Sequence, residues 1–214
     1  MILDIVSDVI CPWCFIGKRR LERALAQAPQ PDLQIGWRPF QLNPDMPAEG
    51  MARDAYLLAK FGDAKGGRMY DHVRTAGAEE GIAFAFERIQ RTPNTIKPHR
   101  LIRRAGVAGK QDAMVEAVFR AYFLDGEDLS DDATLIRIAH AAGLDPTETA
   151  AYLAGEEDAA EIRAEDAFAR QVGINGVPCF IVDRKFALSG AQPPEAFLEI
   201  FSLARREADE PEHV

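Results

Sequence analysis

The sequence predicts an α/β fold in which the two halves of one sheet are separated by a large all-helical insertion. Three observations carry this expectation. The first stretch reads β-α-β, the stretch from about Ala48 to Gly155 has helical periodicity with hardly any strand signal, and the last stretch reads α-β-β-α. The implied layout is a first half over 1–47, a helical insertion over 48–155, a second half over 156–206 and a disordered acidic tail over 207–214.

In order, Ile2-Leu3-Asp4-Ile5-Val6 is rich in β-branched residues and reads as a strand. From Pro12 to about Ala28, Leu21, Leu25 and Ala28 recur at helical spacing, and proline suits the first helical position because its missing N–H has no partner there anyway. Leu33 to Trp37 alternates as a second strand, with Leu33, Ile35 and Trp37 on one face and Pro39 at its edge or end. Phe40 to Pro44 closes the unit in a turn.

Within the insertion, Ala52 to Phe61 and Met69 to Glu80 are helix-compatible, with a loop over Gly62 to Gly67. Ile82 to Phe86 alternates but is short and isolated, and is expected to be an extended connector. Thr92-Pro93-Asn94-Thr95 supplies turn and N-cap chemistry for a helix through about Ala105. Met114/Val115, Val118/Phe119 and Tyr122/Phe123 form the strongest helical stripe, Asp131 to Ala142 repeats the pattern before Gly143, and Pro146 to Leu153 adds a short helix. From Glu157 a helix carries Ile162, Phe168 and Val172. Strands then follow over Phe180 to Val182 and Phe186 to Gly190, and Pro193-Pro194 opens a last helix with Phe197, Ile200, Phe201 and Ala204 on one face.

At 214 residues the chain is long enough to bury a full core, and 47% hydrophobic with 28% charged residues is the composition of an ordinary soluble globular protein. A net charge of −9 argues against nucleic-acid binding, which needs a positive surface to engage phosphates. No apolar run reaches the roughly 18 residues of a membrane span. No basic region followed by an apolar one opens the sequence, so the expected location is cytoplasmic.

The chemistry centres on Cys11-Pro12-Trp13-Cys14, between the first strand and the first helix. A thiolate at a helix N-terminus is stabilised by unpaired N–H groups and the positive end of the dipole, so Cys11 is expected to be the nucleophile. Cys14, one turn further in, is placed to resolve a mixed disulfide. A zinc site would need four ligands, and only Cys179 and four scattered histidines remain, so no metal is expected. Three cysteines are also too few for a disulfide scaffold. A second motif, Gly176-Val177-Pro178, precedes a buried strand. On its own such a bond is ordinarily trans, but beside a CxxC in this element order it is expected to be cis, exposing the backbone of Val177 to an extended substrate.

These residues carry a family resemblance. Ser7 to Gly17, Trp37 to Pro44, Asn94-Thr95 with His99-Arg100-Leu101, and Gly176-Val177-Pro178 together resemble the DsbA-like thioredoxin-fold oxidoreductases, specifically the FrnE-type branch. The resemblance implies a thioredoxin-like domain formed by 1–47 and 156–206, Cys11 as attacking thiol, Cys14 as resolving thiol and Val177-Pro178 as the cis-proline loop. It also implies a disulfide-containing protein or small thiol as substrate and an upstream reductant or oxidant as partner. Related enzymes include glutathione-dependent 2-hydroxychromene-2-carboxylate isomerases and kappa-class glutathione transferases, which use a serine near the position of Cys11. Two cysteines favour dithiol redox chemistry, with no bound cofactor and glutathione as a candidate co-substrate. Trp13 stands where DsbA carries a histidine that helps to stabilise its thiolate; having no charge, it leads us to expect a weaker oxidant. Pro98, where the family more often has alanine, is tolerable so close to the helix start.

The remaining candidates each have two readings. Asp8 is either a cap or turn residue or a proton relay to Cys14. Cys179 is either a small buried side chain or a third thiol acting on the pair. Asn94 and His99, with Pro12, Trp13, Val177 and Pro178, are candidates for substrate binding, although a buried and hydrogen-bonded histidine is the commoner fate of His99. Lys18-Arg19-Arg20 reads as a solvated helix face or as a patch for glutathione or acidic peptides. The rival functions are a glutathione-dependent isomerase or transferase acting on a small aromatic substrate, and a redox-responsive chaperone or binding module.

Overall fold

The computed structural model describes residues 1–62 and 67–209. β1 (Ile2–Ser7) leads through α1 (Pro12–Gln27) to β2 (Gln34–Pro39), which pairs with it in parallel. On its other side β1 pairs antiparallel with β5 (Cys179–Val182), which pairs antiparallel with β6 (Phe186–Ser189). The sheet order is β2-β1-β5-β6, so segments from the two ends of the chain meet side by side, as the element order predicts.

β1 is an inner strand, and alternation along it divides two packing layers. Leu3 and Ile5 join the main core with Phe15, Phe180 and Phe197, whereas Val6 belongs to a smaller cluster with Phe40, Ala169 and Cys179. The helix before β5, α8 (Ala159–Gln171), supplies Ala169 to the small cluster; the helix after β6, α9 (Pro194–Asp209), supplies Phe197 and Phe201 to the main core. Because α9 runs to Asp209, with Glu207 held 2.7 Å from Lys185, residues 207–209 continue the last helix rather than begin a disordered tail. The rest of that tail, 210–214, and the loop read over 63–66 lie outside the described residues.

The inserted segment contains α2 (Arg53–Phe61), α3 (Gly67–Glu79), α4 (Ile96–Val107), α5 (Gln111–Arg120), α6 (Asp132–Ala141) and α7 (Pro146–Ala154). It also contains a two-residue antiparallel ladder, β3 (Met51–Ala52) with β4 (Arg91–Thr92), too short to leave a periodic signature. Ile82, Phe84 and Phe86 are buried without strand pairing, so their alternation reports burial of an extended connector. The stripe from Met114 to Phe123 is helical, but its last turn widens into a π-turn over Ala121–Asp125. Among the described residues no helix is long and apolar enough to cross a membrane.

Two sets of contacts hold the inserted helices to α1. Phe15, adjacent to Cys14, stacks on Phe119 at 5.2 Å and meets Phe84 edge-on at 6.2 Å; such pairs contribute about 0.5–1.5 kcal/mol each beyond the area they bury. The basic run is the second, and here the structure corrects the solvated-face reading. Lys18 is only 3% exposed, with Asp112 and Glu116 carboxylates at 3.2 and 3.3 Å and Glu22 in hydrogen-bond contact. Arg19 pairs with Glu116, and Arg20 and Arg23 grip Glu80 at 2.9 and 2.8 Å. Burial pushes the Glu116 carboxyl up, but the hydrogen bond from Arg19 and the charge of Lys18 outweigh it and hold the group below the usual carboxylate range.

Candidate active site

β1 ends at Ser7, and the chain turns through Asp8-Val9-Ile10, with the Asp8 carbonyl accepting from Cys11 N at 3.0 Å. Cys11 is the N-cap of α1 with extended backbone angles, Pro12 occupies the first turn, and that turn carries no acidic side chain to offset the positive end of the dipole. The local sequence thus places Cys11 at the positive end of the α1 dipole. Pro12 and Trp13 are half-buried, and both cysteines are buried and free rather than bonded to each other.

The opposite wall comes from the far end of the sequence. The Val177–Pro178 peptide bond is cis, as expected, and the Cys11 Sγ donates to the Val177 carbonyl at 3.5 Å. Gly17, five residues beyond the N1 proline, makes this approach possible: a Cβ there would lie 3.0 Å from the Phe180 ring and 3.1 Å from the Pro178 ring. Nothing in the local sequence marks Gly17 for this role, because the need for a bare Cα arises only where α1 meets the Pro178 loop.

Cys14 is 1% exposed. Burial above all, then the hydrogen bond and charge of Cys11, push its thiol well above the ordinary value, with a backbone hydrogen bond from Asp8 opposing and the Asp8 charge adding to the rise. Deprotonating this thiol therefore calls for a base. Asp8 is fully buried; its Oδ2 accepts from Leu42 N at 2.7 Å, and its Oδ1 has no hydrogen-bond partner and lies 3.4 Å from His99 Nε2. The side chain ties the turn to the segment after β2 and does not cap α1.

His99, 3% exposed, also places Nε2 at 3.2 Å from the Phe40 carbonyl, so that nitrogen carries the hydrogen. Asn94 donates to the Met46 carbonyl at 2.7 Å and accepts from Ile96 N at 3.0 Å, while Thr95, at the N-cap position, makes no capping bond and turns its hydroxyl to Gln41. The amide of Asn94 and the ring of His99 are thus engaged in internal bonds. Cys179 follows Pro178 directly, yet alternation along β5 turns it into the small cluster with Val6, Phe40 and Ala169, while Phe180 faces the main core that holds Cys11 and Cys14. Burial pushes the Cys179 thiol up, with a Ser189 hydrogen bond opposing. Among the described residues no group of three or more His, Cys, Asp or Glu side chains is placed to hold a metal.

A dithiol at the start of the first helix, facing a cis-proline loop across a mixed four-stranded sheet, defines the class of thioredoxin-fold proteins with redox-type thiol sites. Within it, residues 2–202 match the DsbA-like thioredoxin domain, and the chain belongs to that family. It is similar to a probable DsbA oxidoreductase, SCO1869, from Streptomyces coelicolor, with 35% identity, a TM-score of 0.89 and coverage of 100% of this chain and 94% of that one. It is 26% identical to the uncharacterized protein YwbO of Bacillus subtilis strain 168 over 84% of this chain and 86% of YwbO. The cytosolic disulfide reductase DsbM of Pseudomonas aeruginosa, solved with GSH, shares the fold at a TM-score of 0.68 and 20% identity, over 95% of this chain and 100% of that one.

Proposed function

We propose that this protein is a thiol–disulfide oxidoreductase in which Cys11 attacks and Cys14 resolves. The observation that carries the reading is the Cys11 Sγ at the α1 N-cap, 3.5 Å from the carbonyl of the residue preceding cis-Pro178, with Cys14 buried one turn behind it. The Cys11 thiolate attacks one sulfur of a substrate disulfide; a Cys11–substrate disulfide forms, the substrate S–S bond breaks and the leaving thiolate takes a proton from solvent. Cys14 then gives its proton to Asp8, and its thiolate attacks the Cys11 sulfur. The Cys11–Cys14 disulfide forms as the Cys11–substrate bond breaks, the second substrate sulfur departs as a thiolate that takes the proton held by Asp8, and the substrate is reduced by two electrons. A small-thiol reductant such as glutathione returns the pair to the dithiol, and with the opposite redox poise the same steps run in reverse.

Pro12, Trp13, Val177 and Pro178 contact the substrate in this reading, the helical segment 48–155 acts as a cap over the dithiol, and Asn94 and His99 support the groove from behind. Glutathione use is supported by the fold shared with a reductase solved with GSH, and three cysteines, too few for a disulfide scaffold, suit a reducing compartment. Insulin reduction tests the reading: Cys11→Ser abolishes turnover, while Cys14→Ala captures partners as stable mixed disulfides identified by mass spectrometry. Equal activity of Cys11→Ser and wild type refutes it.

A further inference from the structure

The inserted segment holds a second feature that the thiol chemistry does not use. Among the described residues two of its arginines are buried. Arg100 is 1% exposed and donates to the carbonyls of Tyr152, Gly155 and Glu157 at 2.6 to 2.8 Å, around the C-terminus of α7, where the negative end of a helix offsets its charge. Arg53 is 7% exposed and meets no helix C-terminus; its guanidinium lies over the Tyr56 and Tyr70 rings at 5.5 and 5.7 Å. Its Nη1 meets Thr92 Oγ1 at 2.9 Å and the Tyr122 hydroxyl at 3.4 Å, its Nη2 meets the Tyr70 hydroxyl, and its Nε has no hydrogen-bond partner. These acceptors are uncharged: burial is the largest influence on both phenols and raises them, so at neutral pH they hold their protons despite the guanidinium beside them. Arg53 pairs with no carboxylate among the described residues. A buried cation without a counter-charge is costly to keep desolvated.

Arg53 is also the first residue of α2, whose N-cap, Ala52, supplies no side-chain acceptor, and Ala52, Arg53 and Asp54 line a cavity of about 590 Å³. That volume lies in the range that holds small organic ligands. Leu57, Phe86 and Ile89 give the cavity an apolar wall, and Arg74, its guanidinium over the Phe86 ring, brings a second cation to it. Asp54 and Glu87 border the cavity as well, but both are exposed, and Glu87 faces Arg74 at 3.6 Å.

We propose that this cavity is a binding site for a small organic carboxylate with an aromatic-sized apolar body, its carboxylate meeting the Arg53 guanidinium at the positive end of α2, where the Arg53 N–H itself is taken by the Gln90 carbonyl at 2.9 Å. The helix end and the guanidinium offer the positive charge, and the Leu57–Phe86–Ile89 wall takes the ring. The site is separate from the dithiol and does not depend on its chemistry.

The test is calorimetric titration of the full-length protein with benzoate, the neutral isostere benzamide and inorganic phosphate, in wild type, Cys11→Ser and Arg53→Lys. Benzoate is expected to saturate one site equally in wild type and Cys11→Ser, benzamide to bind roughly tenfold more weakly, and Arg53→Lys to lose most of the preference. Methyl NMR of the wild type, which needs no variant to fold, is expected to map benzoate to Leu57 and Ile89. Equal binding of benzoate and benzamide, shifts confined to other methyls, or phosphate binding as tightly as benzoate would overturn the assignment.

Discussion

Gly17 and Pro178 touch across 161 positions of sequence: a methyl group on the Gly17 Cα would stand 3.1 Å from the Pro178 ring and 3.0 Å from that of Phe180. Phe180 has little room to yield, because it packs edge-on against Phe197 at 4.7 Å. The contact seats the helix that carries the dithiol directly against the cis-proline loop.

Substituting Gly17 therefore sets two effects against each other. Alanine gains about 1 kcal/mol in helix propensity, while overpacking costs about 1–3 kcal/mol. Gly17→Ala is expected to unfold about 1 kcal/mol more easily in urea, and Gly17→Val to lose more and to reduce insulin more slowly as Pro178 is pushed from Cys11. A Gly17→Val protein with wild-type stability and activity would show that the contact does not matter.

The Asp8–His99 pair gives a kinetic prediction. Asp8→Asn keeps an oxygen for Leu42 N but removes the proposed base, so attack of Cys14 on a preformed Cys11–glutathione disulfide should slow by roughly a hundredfold, with the first attack by Cys11 unchanged. His99→Phe leaves the Phe40 carbonyl without this donor and should cost about 1–3 kcal/mol of stability. Stopped-flow single turnovers separate the two steps; equal slowing of both by Asp8→Asn would assign Asp8 a structural role only.

The buried Cys14 thiol makes the stability of the reduced protein fall at alkaline pH. Its value is raised in the folded state from the ordinary 9.0, chiefly by burial. Below that ordinary value both states hold the proton and pH has no leverage. As pH rises through it, the unfolded chain releases the proton that the folded chain keeps, and stability is lost progressively up to the folded value. Cys179 shifts in the same direction, so Cys14→Ala should remove only part of the loss, a slope of about 1 kcal/mol per pH unit in urea midpoints measured with reductant from pH 7 to 10.5.

Cys179 should be silent in turnover. Its side chain points into the Val6–Phe40–Ala169 cluster, away from the layer that holds Cys11 and Cys14. Cys179→Ala is expected to preserve insulin reduction and to cost about 1 kcal/mol of stability from the small cavity left behind. Trapping of a Cys11–Cys179 disulfide in a Cys14→Ala protein under mild oxidation would contradict this placement.

Much of the protein is legible in its residues. The β-branched run before Cys11, Pro12 at the first helical position and the helical stripe behind it fix a dithiol at a helix N-terminus by local geometry alone, and the order of elements determines which strands share a sheet. The cis bond between Val177 and Pro178 is legible from Gly176-Val177-Pro178 only in combination with the CxxC and the element order. What local pattern does not encode is which side chains meet once distant segments pack. The face of β5 on which Cys179 lands, the partners of Lys18, Arg19 and Arg20 on α5 and beside α3, the short β3–β4 ladder, the burial of Asp8 against His99 and the clearance at Gly17 are each set by a neighbour many positions away. Sequence periods report the environment of one element at a time, and these features belong to pairs of elements, so only the packed tertiary structure could decide them.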